Sequence, residues 1–509
     1  MSTQQQPLDS AEVDAAVPVP GEQVDRLKAN SVGLLGVVFM AVATAAPITA
    51  MTGNLPIIAG SGNGIGAPAA YLFATLVLTV FSVGYVAMAK HITAAGAFYG
   101  FISHGLGRVA GMASGLLAVL AYVVFEASII GFFAASFKQL ASDQWGLDLH
   151  WGYYAMFGLV VIAAMAFFDI HLTAKFLGVA LVLEIAVLAV VSFAVLFTGG
   201  GPDGIIGEAV NPLKAFDGVN GSMGAAGLGL FFAFWSWVGF ESTAMYGEES
   251  RDPKKVVPRA TLISVVGVGL FYIFVSWMMV SAAGKSGLAD AASKGTLFFA
   301  PLGEHFGDTS VKIFQWLVVT GSFACAMAFH QCASRYLYAI GREGFIHPAL
   351  GRTHPRHGSP YIASFVQSVI AIILVAAFIV ADMDPSVHLY GLLALLGTMA
   401  ILIVQTLCSF SVVGYFHVQH KHPETKHWFN TLTAPIAGGL AMGVVVGLLV
   451  YNMDTAAGAA ADTLLFELIP YIVGGFFLAG IALALYMKHR RPERYEQMGR
   501  IILDDAAER

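Results

Sequence analysis

The sequence predicts an all-α membrane protein of twelve transmembrane helices, and three observations carry that expectation. Hydrophobic residues make up 57% of the 509-residue chain and charged residues only 11%, against roughly 25% charged in a soluble domain. No Asp, Glu, Lys or Arg occurs from Ala29 to Ala89, a run too long for one span of about 20 residues, so the chain must cross and return. Apolar runs of similar length recur along the chain. They exceed the alternating segments of about ten residues that build membrane barrels, which leaves helices as the spanning element.

Residues 1–30 are polar and acidic and lack the basic start and short apolar core of a signal peptide, so they read as a disordered cytoplasmic tail. The first span, about 31–58, is interrupted by Pro47, Gly53, Asn54 and Pro56 and is not expected to be one continuous helix. The turn GSGNGIGAP has nucleotide-loop spacing without a preceding strand, which excludes a nucleotide site. Spans two to five cover about 67–89, 109–137, 151–168 and 173–198, with Glu126 near the middle of the third and Glu184 near the centre of the fifth. The sixth, about 222–246, places Trp235, Ser236, Trp237, Val238, Gly239, Phe240 and Glu241 in a row at membrane depth. Gly239 weakens a helix there, and an ionisable Glu241 inside the hydrocarbon marks a functional site. A polar segment, 284–310, separates the seventh span (260–283) from the eighth (311–340). Spans at 361–381, 389–416, 434–451 and 468–487 complete twelve, before a cytoplasmic tail at 488–509.

Of the 26 Lys and Arg residues, all but Lys138, Lys214, Lys285, Lys294 and Lys312 fall on one side when the N-terminus is placed inside. The positive-inside rule then puts both ends in the cytoplasm. The net charge of −6 adds nothing to this, and no pattern points to nucleic acid. Cys325, Cys332 and Cys408 lie within apolar spans and read as packed thiols, and with no zinc or redox spacing no cofactor is expected.

The interrupted spans are the first and the sixth, five crossings apart. Residues 31–199 and 222–418 are therefore expected to be inverted repeats, a five-plus-five core followed by two further helices within 433–487. Breaks at matching places of inverted halves point to a transporter's central site. Each break frees N–H groups at one half-helix and C=O groups at the other, with partial charges of about half a unit. Such ends suit a zwitterion, with its carboxylate near Thr49, Ala50, Met51, Thr52 and Gly53 and its ammonium near the carbonyls from Trp235 to Val238. A polyamine would instead need acidic partners such as Glu126 or Glu241. Glu184, costly when charged at its depth, is the first candidate for carrying a coupling proton, with Glu241 and then Glu126 the alternatives.

Three stretches resemble one family, in its order: AGAFYGFISHGLGRVAG from Ala95, GFES followed by EESRDPKKVVPRA from Gly239, and SRYLYAIGREGFIHPALGRTHPRHGSP from Ser334. They are similar to the loop entering the third helix, the sixth helix with its loop, and the end of the eighth helix in the amino acid-polyamine-organocation superfamily. The resemblance implies a LeuT-like permease with broken helices 1 and 6. It places Thr49 to Gly53 where many members carry a Gly/Ser-rich unwound motif, here largely absent. It sets Trp235 and Trp237 beside the substrate and Glu241 on the family's carboxylate. Glu184 falls where some members carry a lysine. Arg335 reads as an anchor at the inner end of the eighth span.

The expected activity is secondary active import of amino acids across the cell membrane, driven by protons. The alternatives are an amine or polyamine importer or an exchanger, and, less favoured, a membrane-embedded enzyme or a non-transporting sensor. Its partners would be the small-molecule substrate, protons and membrane lipid. An enzyme is not expected, since no nucleophile and base stand at a recognised spacing.

Overall fold

The computed structural model of the protein describes residues 27, 29–93, 96–167, 170–457 and 460–499. Its long helices follow the apolar runs: α1 (Leu34–Gly62), α2 (Ala67–Ala89), α3 (Arg108–Trp145), α4 (Trp151–Ala166), α5 (Ile170–Phe197) and α6 (Met223–Ala244). After them come α7 (Pro253–Ser293), α8 (Asp308–Arg342), α9 (Tyr361–Val380), α10 (Pro385–Val418), α11 (Phe429–Tyr451) and α12 (Leu464–Arg490). Eleven are long and apolar enough to cross a membrane, and α4 is shorter at 16 residues. The only β pairing among the described residues is two isolated bridges, Val32 with Ser250 and Gly201 with Gly204. Of the expected tails, 1–30 and 488–509, residues 1–26, 28 and 500–509 lie outside the described residues.

Local chemistry sets the helix starts. Ser222 accepts from the Ala225 N–H to open α6, Asp384 from the Ser386 and Val387 N–H groups to open α10, and Thr463 from that of Phe466 to open α12. Pro68 sits in the first turn of α2, where its missing N–H costs nothing. The polar segment expected between the seventh and eighth spans, 284–310, is largely helical. α7 bends at Gly284, which has φ 69, and continues to Ser293, and a short helix, Phe299–Phe306, follows. The run GLADAAS is rich in good helix formers, which accounts for the continuation.

Within the bundle, 89% of the apolar window of α6 is buried, against 22% for α12, so α6 is central and α12 peripheral. α3 and α8 pack along each other, as do α2 and α7, while α1 lies against α7, α5 and α8. Large apolar side chains such as Phe157, Leu270, Ile373 and Leu478 point outward, as expected of a surface facing lipid.

Candidate functional site

α1 leaves helical geometry at Ala46, whose φ of 44 and ψ of 80 are left-handed, and resumes at Pro47. This corrects the expected location: Thr49 to Gly53 lie inside the resumed helix, partly as a π-turn, and the break precedes them. A residue before proline is pushed out of the α region, and Ala46-Pro47 was the signal for it. The freed groups are taken by three other helices. Tyr272 of α7 donates to the Ala45 carbonyl at 2.9 Å, and the Cys325 thiol of α8 to the Thr44 carbonyl at 3.5 Å. The Ile48 N–H donates to Glu184 Oε2 of α5 at 3.3 Å.

α6 runs as an α-helix to Trp235 and then passes through turns to a 3₁₀ segment, Phe240–Ala244. Gly239 makes the turn with φ 117, and a Cβ there would stand 2.5 Å from Thr44 Cγ2. Glycine is thus required both by conformation and by the approach of α6 to α1. Glu241 caps this break. Its Oε2 accepts the Gly239 N–H at 3.0 Å, its Oε1 accepts the Tyr122 hydroxyl at 2.8 Å, and Tyr85 donates to its carbonyl at 2.6 Å.

Between the breaks lies a small cavity. Of the expected binding residues, Thr49, Ala50, Trp235, Ser236 and Val238 line it. Met51, Thr52, Gly53, Trp237 and Gly239 do not. Trp237 is fully buried against Tyr71 and Tyr272 and donates its indole N–H to the Val265 carbonyl at 3.4 Å, so it is a packing residue. The lining also includes residues the sequence reading missed: Ala46 at the break, Asn54, Phe329 and Tyr390. Four polar lining residues are joined. Tyr390 OH donates to Asn54 Oδ1, Asn54 Nδ2 donates to Ser236 Oγ at 2.9 Å, and the Trp235 indole N–H donates to Tyr390 OH at 3.3 Å. Among the described residues the Thr49 hydroxyl, buried at the cavity, has no partner, and no ionisable group more acidic than a thiol or phenol lines the space.

Two candidates thus stand apart from the cavity wall. Glu241 is spent on the α6 break, and Glu126 is paired with His330 of α8 at 3.0 Å. Glu184 lies at the edge of the α1 break, buried, with no Lys, Arg or His within ion-pair distance among the described residues. Gly321 of α8 makes room for it, since a Cβ there would stand 2.8 Å from Glu184 Oε1.

One end of the bundle is sealed by ion pairs. Arg335 grips Glu249 through two bonds at 2.8 and 3.0 Å, and Arg342 grips Glu248 at 2.9 and 2.7 Å. Arg335 also covers the Tyr246 ring at 4.6 Å. With 1% exposure it is a buried partner of the segment after α6 and not the end anchor the sequence suggested. Bidentate pairs of this kind are geometrically specific, and breaking one leaves a buried charge.

Known proteins resemble this arrangement. The chain is 24% identical over 424 residues to the low-affinity putrescine importer PlaP of Escherichia coli strain K12, covering 81% of this chain and 87% of the relative. It is 24% identical over 352 residues to the branched-chain amino acid permease BcaP of Lactococcus lactis subsp. cremoris, covering 63% and 70%. A solved structure of the Eremococcus coleocola manganese transporter, in complex with an aromatic bis-isothiourea compound, superposes with a TM-score of 0.57 at 15% identity, covering 92% of this chain and 98% of that one. At that identity it speaks for a shared LeuT-like fold alone. Among the described residues no group of three His, Cys, Asp or Glu side chains could hold a metal ion. The model of the family described as amino acid permease matches residues 32–502, and the chain belongs to that family.

Proposed function

We propose that this transporter imports amino acids across the cell membrane together with protons. The observation that carries the reading is the cavity between the two breaks, walled by half-helix ends and the unpartnered Thr49 hydroxyl, with no acidic side chain on it. Half-helix ends satisfy a carboxylate and an ammonium at fixed separation. A diamine would need carboxylates, and Glu126 and Glu241 are engaged elsewhere. The amine reading, favoured by the likeness to the putrescine importer, therefore stands second.

Glu184 supplies the coupling. Its carboxyl oxygen occupies the Ile48 N–H, at the start of the second half of α1, where a substrate carboxylate would also be drawn. Two carboxylates at one helix end repel, so substrate binds when Glu184 has taken a proton, and the proton leaves when substrate leaves. That linkage is what a symporter needs.

The bridge between Val32 and Ser250 supports twelve crossings. Residues before α1 and after α6 meet on one side, so the number of spans between them is even and α4 counts as one. With both termini cytoplasmic, the ion-paired end is the closed inner gate.

The test is uptake by the purified protein in liposomes carrying a proton gradient, competed with a panel of amino acids and with putrescine. Competition by amino acids alone is expected, and competition by putrescine alone overturns the substrate assignment. Glu184→Gln should abolish gradient-driven accumulation while leaving exchange of labelled substrate largely intact. Normal accumulation with unchanged pH dependence would rule Glu184 out.

A further inference from the structure

Behind Trp235 lies a polar cluster that the coupling scheme does not use. Both carboxyl oxygens of Glu126 on α3 approach His330 Nδ1 on α8, at 3.0 and 3.1 Å. Gln367 on α9 donates its Nε2–H to Glu126 Oε2 at 2.6 Å, and His330 Nε2 lies 2.9 Å from Ser364 Oγ, also on α9. Glu126, His330 and Gln367 are fully buried, and Ser364 nearly so.

No fixed charge balances this cluster. On α8, Arg335 is held by Glu249 and Gln331, and Cys332 lies against Tyr246. On α3, Tyr122 donates to Glu241. α9 carries no ionisable side chain but Tyr361 at its first residue, α4 offers only Tyr153 and Tyr154, and Cys408 on α10 accompanies Ser411. None of these bonds to the pair among the described residues. The cluster's charge is therefore set by its own protons. It is −1 with a neutral imidazole and zero with one proton more, and in a hydrocarbon surrounding the two states differ strongly in energy.

The cluster also touches the cavity wall. Phe125 and Phe329, the chain neighbours of Glu126 and His330, flank Trp235 with ring centroids 4.3 and 6.0 Å away, and they meet each other at 5.2 Å. Ile129, one turn after Glu126, lines the cavity itself.

We propose that Glu126 and His330 form a proton-binding site, separate from Glu184, that adjusts the aromatic wall of the cavity to pH. One proton from solvent adds to the imidazole, and no other bond forms or breaks. The contact changes from a hydrogen bond between a neutral ring and a carboxylate to an ion pair between opposite charges, which holds α3 and α8 more tightly. Its grip on α3 and α8 then alters the clamp of Phe125 and Phe329 on Trp235.

The experiment follows tryptophan emission of the full-length protein in liposomes between pH 5 and 9, without any transported solute. Its outcome is therefore independent of whether the substrate is an amino acid. Wild type should show a pH-dependent change that disappears in Trp235→Phe, which assigns it to the wall. In His330→Gln the change should vanish, and in Ser364→Ala, which keeps the pair, its midpoint should move by about one pH unit, a tenfold change in proton affinity. It should persist in Glu184→Gln. Infrared difference spectra over the same pH range should lose an imidazole band in His330→Gln. If His330→Gln does not fold, Glu126→Gln gives the same comparison from the carboxyl side. An emission profile in His330→Gln or Glu126→Gln that matches wild type, or a response that vanishes only with Glu184, overturns the proposal.

Discussion

Trp235 and Trp237 stand two positions apart and do different work. Trp235 ends the helical part of α6 and Trp237 lies in the turns after it, so the two face different surroundings. Trp235 lines it and bonds Tyr390, while Trp237 is sealed among Tyr71, Tyr272 and the Val265 carbonyl. Trp235→Ala should weaken substrate affinity about tenfold, near 1.4 kcal/mol, with the fold retained, as read by binding isotherms beside thermal melts. Trp237→Ala removes a buried aromatic and should cost about 3–5 kcal/mol of stability, read as a lowered melting temperature. Equal affinity losses without any stability difference would show the two roles to be wrongly divided. The row of aromatics was legible in the sequence, but the choice between them depended on where α6 breaks. Glu126 was legible as a costly buried carboxylate. Its partner His330 lies 204 positions away, and no local pattern could have joined them.

At the scale of elements, the α6 turn depends on Gly239. Gly239→Ala forces a side chain into a left-handed conformation, at about 1–2 kcal/mol, and drives its Cβ to 2.5 Å from Thr44. Transport and folded yield should both fall, as measured by uptake and by size-exclusion recovery. Sequence reading located this break because glycine marks it. It placed the break in α1 a turn too late, because Gly53 and Pro56 look like breakers yet are accommodated, Gly53 in a π-turn and Pro56 in the short α stretch after it, whereas Ala46 is an inconspicuous residue. Beyond the bundle, the short helix Pro492–Gln497 docks on the ion-paired end. The Gly499 N–H and the Tyr99 hydroxyl both donate to Glu343, and Arg108 reaches the Glu496 carbonyl at 2.8 Å. Burial pushes the Glu343 carboxyl up from 4.5 to about 7, a rise only partly offset by its hydrogen bonds. A raised folded pKa means that the folded state holds the proton more tightly. The stabilisation is therefore complete below about pH 4.5 and is lost as pH rises through 7. Melting temperatures of wild type should accordingly decline relative to Glu343→Gln between those values, and a pH-independent difference would contradict this.

At the scale of the molecule, the all-helical class and the order of spans followed from the apolar runs, because in lipid every backbone group must be satisfied within the segment. We propose the inverted repeat from parity and from the two breaks. Residues 31–199 should superpose on 222–418 after a half-turn about an axis in the membrane plane, in an experimental structure, and two halves related without inversion would contradict it. The pairing of the chain's beginning with its middle has a consequence for how the protein is made. The N–H groups of Ser31 and Val32 donate to the Glu249 carbonyl at 2.9 and 3.0 Å, and the Arg251 N–H returns to Val32. Those partners lie 218 positions apart. At about 5–20 residues per second a ribosome needs roughly 10–45 s to reach the second strand after the first has emerged. For that interval the opening helix is inserted with its entry unfastened, and nascent chains arrested before residue 249 should be cut near Ser31 by a protease that spares the finished protein.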